Sequence, residues 1–144
     1  MKIRPLLAVL ALVVGLASCS GGDLSTGPAA QVDGTYALRQ FNGANVPATV
    51  FQNAEIRVEI TSGALVLRQD RSYTETLQLR AFYTDGTTET DAAIENGTYA
   101  VSGSTVTFTV PPSTTEQGFS YSGQVEGRFL TYSGGDFSVR YERQ

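Results

Sequence analysis

Tyr73 and Glu75 carry the most informative polar chemistry in the sequence, because alternation places both on one side of an apolar strand. In residues 72–83 they share a face with Leu77 and Leu79, and the leucines mark that face as the interior. A carboxylate pointing into a protein is costly unless it is paired and hydrogen-bonded. We therefore expect Glu75 to meet an arginine or tyrosine hydroxyls, to face a ligand, or to lie at a strand end open to water.

The seven tyrosines could line a pocket that combines apolar surface with hydrogen-bonding groups. Most of them fall on the predicted interior face. We take Tyr36, Tyr73 and Tyr99, together with Glu75, as candidate ligand-facing residues. The alternative is structural, since tyrosine is a common strand former with a large apolar body.

The acidic residues Glu89, Asp91 and Glu95 lie close together in the sequence but fit neither a calcium site nor a glycosidase pair well. No EF-hand calcium loop occurs, with its alternating ligands, central glycine and final glutamate. A glycosidase pair requires a set separation of two carboxylates, which a sequence does not define. We predict a solvated hairpin face, with Asn96-Gly97 as its tight turn.

The absence of several residue types excludes most familiar catalytic chemistry. The chain has no histidine, one cysteine and one lysine, so it can form no Ser-His-Asp or Cys-His arrangement and no zinc site of the His or Cys type. We expect a protein that is not an enzyme, with no catalytic residue, metal or cofactor. The formal net charge of −4 disfavours binding to nucleic acid.

Residues 1–18 have the pattern of an export signal peptide, in which Lys2 and Arg4 precede the apolar run LLAVLALVVGL. That run is shorter than the roughly 20 residues that span a bilayer. The tetrad Leu16-Ala17-Ser18-Cys19 resembles the lipobox of bacterial lipoproteins. The resemblance implies cleavage between Ser18 and Cys19, with lipid on the cysteine, so that the mature chain has the membrane as a partner.

Residues 19–31 form the predicted lipidated N-terminus and tether, because SGGDLSTGPAA is rich in glycine, serine and proline. Two or three acyl chains hold a protein firmly at a bilayer. Ser20 stands where some bacterial lipoproteins carry the aspartate that retains them at the inner membrane. The resemblance therefore favours the periplasmic face of the outer membrane.

Residues 32–144 predict one all-β domain with an antiparallel up-and-down meander of about eight to ten strands. Gly-containing pairs such as Asp85-Gly86 and Glu126-Gly127 mark tight hairpins that leave no room for parallel crossovers. We expect the sheet to close into a barrel, the alternative being a β-sandwich. Residues 42–50 predict a loop or a single helical turn, with a possible role as a lid. The predicted strands are 34–40, 54–62, 64–69, 72–83, 87–94, 97–102, 105–110, 119–125, 128–132 and 136–143.

The first strand, Gly34-Thr35-Tyr36-Ala37-Leu38, followed by a meander to an arginine-rich last strand, resembles the bacterial lipocalin-like lipoproteins. Tyr36 stands where lipocalins carry a tryptophan, and Arg140 or Arg143 could be its partner. The resemblance implies a lipocalin-like barrel, anchored in the envelope, that binds a small amphipathic or hydrophobic ligand. The alternative is a structural or inhibitor-like lipoprotein with a filled core.

Overall fold

The computed structural model describes residues 31–114 and 116–144. The predicted signal peptide, Ser18, Cys19 and nearly all of the tether lie outside the described residues. Within those ranges no helix is long and apolar enough to cross a membrane. The regular elements of the described chain are the strands β1 Gly34–Phe41, β2 Ala44–Asn45, β3 Ala48–Gln52, β4 Ile56–Leu67, β5 Ser72–Tyr83, β6 Thr88–Ser102, β7 Thr105–Val110, β8 Phe119–Glu126, β9 Phe129–Gly134 and β10 Phe137–Arg143.

Eight of these strands form a closed antiparallel barrel. From β4 to β10 each strand pairs with the next one in the chain, and β1 closes the ring by pairing with β10 on one side and β4 on the other. Tight turns make this meander possible, and Gly103 and Gly127 occupy two of them with φ angles of 59° and 60°. The predicted antiparallel barrel is confirmed, and the sandwich alternative is wrong.

The segment 42–50, predicted as a loop or helical turn, instead contains β2 and most of β3. Strands β1 and β4 pair only over residues 34–37 and 64–67 and then separate. The freed edge of β1 pairs with β2, and the freed edge of β4 pairs with β3. The prediction was wrong because diverging strands leave backbone groups unpaired, and these two short strands satisfy them.

Two breaks predicted within the sheet are absent from the structure. The predicted strands 54–62 and 64–69 are one strand, β4, in which an irregularity between Ile60 and Ser62 shifts the register while pairing to β5 continues. The predicted strands 87–94 and 97–102 are likewise one strand, β6. Asn96 and Gly97 form no turn there, because they pair with Thr74 and Tyr73 of β5.

The interior is packed largely with aromatic rings. Phe108 is fully buried, and its ring lies 5.0 Å from those of Tyr73 and Tyr121 and 5.8 Å from that of Tyr132, measured between centroids. Aromatic pairs at such spacings are stabilising beyond the area they bury. Alternate residues of β7 and β10 face this interior, since Val106, Phe108, Val139 and Tyr141 are buried.

The end at which the chain enters the barrel is covered. Val32 is buried there, and the Tyr36 hydroxyl donates a hydrogen bond of 2.7 Å to its carbonyl oxygen. Arg143, which lies opposite Tyr36 in the β1–β10 ladder, donates to the carbonyl oxygens of Gln31 and Asp33. This end is therefore sealed by the residues just before β1 and by the last strand.

Candidate functional site

A cavity of about 540 Å³ lies at the end of the barrel opposite the covered one. Phe41 ends β1, Val110 ends β7, Phe119 begins β8 and Phe137 begins β10, and all four line this space. The lining combines aromatic and aliphatic side chains with carboxylates. Its members are Phe41, Glu75, Leu77, Ala93, Ile94, Glu95, Asn96, Val110, Glu116, Phe119, Tyr132, Phe137 and Val139.

The cavity opens beside β6, where the wall of the barrel is incomplete. The β6–β7 ladder begins only at the pair Thr98 and Thr109, so residues 88–97 pair with β5 alone. Three large apolar side chains are exposed among the lining residues: Ile94 at 63%, Phe119 at 51% and Phe137 at 41%. Exposed apolar groups gathered at a cavity are typical of a binding site.

Glu75 lies in the wall of the cavity with only 7% of its surface exposed. Tyr132 donates a hydrogen bond of 2.5 Å to its Oε1 atom, and Tyr141 donates to the same oxygen. Burial raises the pKa of the Glu75 carboxyl above its ordinary range, and the two phenols offset part of that shift. Of the partners considered from sequence, tyrosine hydroxyls are therefore present, and no arginine of the described chain forms an ion pair with Glu75.

Glu95 lies directly opposite Glu75 in the β5–β6 ladder and is half-buried. Tyr73 and Tyr121 donate hydrogen bonds of 2.7 Å and 2.6 Å to its Oε1 atom. The sequence prediction of a solvated face is wrong for Glu95, although Glu89 is exposed as expected. The error follows from the false turn at residues 96–97, which interrupted the alternation.

The two carboxylates are bound in the same manner. Each accepts both of its phenol hydrogen bonds on Oε1. Neither Oε2 accepts a hydrogen bond from the described residues, and no buried polar side-chain atom among those residues lacks a partner. The Oε2 atoms of Glu75 and Glu95 are therefore accessible, and both side chains line the cavity.

The four phenols act as fixed donors to these carboxylates. Burial raises the pKa of the Tyr73, Tyr121, Tyr132 and Tyr141 hydroxyls, and the nearby carboxylates raise it further. All four therefore stay protonated at neutral pH. The arrangement provides two hydrogen-bonded carboxylates in the wall of a cavity whose opening is apolar.

The four candidate ligand-facing residues fall into two groups. Tyr73 and Glu75 belong to the carboxylate network, whereas Tyr36 and Tyr99 do not. Of the four, Glu75 is the one that lines the cavity. Tyr99 instead donates a hydrogen bond of 2.6 Å to the carbonyl oxygen of Arg68 in the β4–β5 turn. Of the two arginines considered as partners of Tyr36, Arg143 lies opposite it, and Arg140 stacks on Phe129 at 3.9 Å.

Sequence reasoning placed Glu95 on a solvated face and did not identify which tyrosines donate to the two carboxylates. The sequence did contain a signal for Glu95. It lies an even number of residues before Tyr99 and Val101 on one strand, so its side chain is on the same face as theirs, which points inward. The described residues contain no group of three or more acidic, histidine or cysteine side chains that could hold a metal ion. Comparisons with protein-family models, with curated proteins and with solved structures found no match.

Proposed function

We propose that this barrel binds a small amphipathic ligand in the cavity between β6 and β8. The observation that carries the proposal is the coincidence of exposed apolar side chains with accessible carboxylate oxygens in one cavity. Ile94, Phe119 and Phe137 provide apolar surface at the opening, and Glu75 and Glu95 provide polar groups on the wall. An amphipathic molecule would place its apolar body against the former and its polar group against the latter.

The size of the cavity supports this function. Its volume of about 540 Å³ falls within the roughly 300–1,000 Å³ typical of small-molecule sites. An eight-stranded barrel can be filled by its own side chains or can hold one small ligand. In this protein the part of the barrel interior around Phe108 is packed with side chains, and the part around Leu77 borders the cavity. The partly filled interior favours a binder over the structural alternative.

We further propose that the protein is exported and lipid-anchored at Cys19, at the periplasmic face of the outer membrane. This rests on the residues 16–19 and on the tether that follows them. The tether joins the barrel just before Val32, at the covered end. The cavity opens at the other end, so the anchor would leave the opening free for a ligand that arrives from the aqueous side.

Fluorescence titration with the neutral amphiphile N-phenyl-1-naphthylamine tests ligand binding. We expect saturable binding to the purified protein, weakened several-fold by Phe119→Ala and by Phe137→Ala. Phe51→Ala is the matched control, because Phe51 is 52% exposed but lies outside the cavity lining. An equal loss in the Phe51→Ala variant, or the absence of saturable binding, would contradict the proposal.

A further inference from the structure

We infer that the polar group recognised in this cavity is an organic cation, a primary to quaternary ammonium carried on an apolar body. The inference rests on the proposed ligand-binding function and names the chemical class of its ligand. Three observations carry it: the charge of the lining, the placement of two carboxylates opposite each other, and the accessible oxygen on each of them.

The lining of the cavity is acidic. Glu75, Glu95 and Glu116 belong to it, and no arginine does. The ion pairs of the described chain involve Glu59 and Glu142, so none neutralises a carboxylate of the cavity. An anionic ligand would have to approach these carboxylates without a compensating charge, whereas a cation would find complementary charge.

The placement of Glu75 opposite Glu95 is unfavourable without a partner. Like charges directly opposite each other on neighbouring strands destabilise a sheet. The effect is stronger where the groups are partly removed from water, because screening is weaker there. A cation positioned between the two carboxylates would replace this repulsion by two attractions.

The hydrogen bonds of the phenols leave room for such a cation. Tyr132 and Tyr141 occupy one oxygen of Glu75, and Tyr73 and Tyr121 occupy one oxygen of Glu95. The second oxygen of each carboxylate is accessible and unpaired within the described chain. A side chain that is more than nine-tenths buried, as Glu75 is, thus presents a free acceptor to the cavity.

The other lining residues favour an organic cation over a metal ion. Calcium requires about six to eight oxygen ligands, and no group of three acidic side chains in the described chain is arranged to hold a metal. Phe137, Phe119 and the ring of Tyr132 line the same cavity. Aromatic faces attract ammonium groups and also contact the alkyl or aryl body attached to them.

Isothermal titration with three amphiphiles of equal chain length tests the inference. The probes are decyltrimethylammonium, decyldimethylphosphine oxide and decyl sulfate, which are cationic, neutral and anionic, each used below its micelle concentration. We expect the cation to bind about tenfold more tightly than the neutral probe, which corresponds to about 1.4 kcal/mol, and the anion to bind most weakly.

Charge-removing variants assign the preference to the two carboxylates. Glu95→Gln and Glu75→Gln should each reduce the affinity for the cation several-fold and change the affinity for the neutral probe much less, so that the ratio of the two affinities falls. The matched control is Glu89→Gln. Glu89 also accepts a hydrogen bond from a tyrosine, Tyr83, but it is exposed and does not line the cavity. If Glu75→Gln fails to fold, the half-buried Glu95 still provides the test.

The possible outcomes distinguish failure of the cation preference from failure of the proposed ligand binding. Equal affinity for all three probes would overturn the cation preference and leave ligand binding intact. Absence of binding by every probe would overturn both. Displacement of decyltrimethylammonium by micromolar calcium chloride would show an inorganic cation site and overturn the inference as stated.

Discussion

Gly97 lies directly opposite Tyr73 in the β5–β6 ladder, and the tyrosine ring occupies the space that a side chain at residue 97 would fill. A Cβ atom at residue 97 would lie 2.7 Å from Cε1 of Tyr73 and 2.3 Å from the carbonyl oxygen of Thr109. The Tyr73 hydroxyl reaches Glu95, two residues away on the same strand as Gly97. The glycine therefore permits the position of a phenol that binds a cavity carboxylate.

We expect Gly97→Ala to lower the free energy of unfolding by about 1–3 kcal/mol, because the new methyl group meets backbone that cannot move aside easily. Urea unfolding followed by tyrosine fluorescence measures the change. The comparison is Gly63→Ala, whose Cβ would approach side-chain atoms rather than backbone, Cδ2 of Leu77 at 2.8 Å and Cβ of Leu38 at 3.0 Å. The prediction is wrong if Gly63→Ala is as destabilising as Gly97→Ala.

The stability cost of Glu75 should increase with pH. Burial raises the pKa of its carboxyl in the folded state, so the folded protein holds this proton more tightly than the unfolded chain does. Stability is therefore lost from about pH 4.3, where an exposed glutamate titrates, up to the folded pKa. The titratable groups facing Glu75 are Glu95 from β6, Tyr132 from β9 and Tyr141 from β10.

Glu75→Gln removes this titration. Relative to the parent, the variant should gain stability as the pH rises through that window and show no further relative change above it. Urea unfolding between pH 4 and pH 8 measures the difference, with Glu89→Gln as the control for loss of an exposed carboxylate. A difference between Glu75→Gln and the parent that is constant with pH would refute the assignment.

Removal of a phenol donor should destabilise the ionised form of Glu75. Tyr141→Phe deletes one of the two hydrogen bonds to Oε1, and loss of a buried bond to a charged group costs about 1–3 kcal/mol. Because this hydrogen bond lowers the pKa of Glu75, the variant should raise that pKa and lose more stability at pH 8 than at pH 4. Thermal unfolding at the two pH values provides the measurement.

Tyr83→Phe is the control for this experiment. The Tyr83 hydroxyl also donates to a carboxylate, that of Glu89, at 2.9 Å, but the carboxylate is exposed. We expect this variant to unfold at nearly the parent temperature. A similar loss in both variants would mean that the buried setting of Glu75 does not matter.

The proposed lipid anchor at Cys19 can be tested by substitution. Cys19→Ala should abolish the incorporation of labelled palmitate, because it removes the sulfur that would be acylated. The protein should then leave the membrane fraction after cell breakage. Ser20→Ala is a suitable control, since it alters the neighbouring position and keeps the cysteine. Retention of the Cys19→Ala protein in the membrane fraction would refute anchoring through this residue.

The sequence was sufficient to predict β5 because its pattern is local. Leu77 and Leu79 fix the interior face, and Tyr73 and Glu75 follow from the period of two. The fold class followed similarly from alternation and from glycines in the tight turns. That Glu75 accepts hydrogen bonds from Tyr132 and Tyr141 could not be predicted, because β9 and β10 meet β5 only across the barrel interior.

The Asn96-Gly97 pair shows where local reasoning failed. Such a pair is a strong hairpin signal because glycine tolerates positive φ. In this protein the glycine is needed because the Tyr73 ring and the backbone of Thr109 in β7 lie too close to residue 97 to leave space for a side chain. The information lies in residues distant in sequence, so no pattern within β6 could distinguish the two roles. Glu95 was misassigned as a direct result.

Closure of the ring by β1 and β10 links the completion of folding to the assembly of the cavity. Tyr36 pairs with Arg143, and the backbone N–H of Gln144 donates to the carbonyl oxygen of Thr35. Contacts between such distant segments slow folding, because a long loop must close before they form. The same strand, β10, brings Tyr141 to Glu75. A nascent or truncated chain that stops before β10 therefore has neither a closed wall nor a complete set of phenol donors. The cavity is complete only when the last strand has paired with the first.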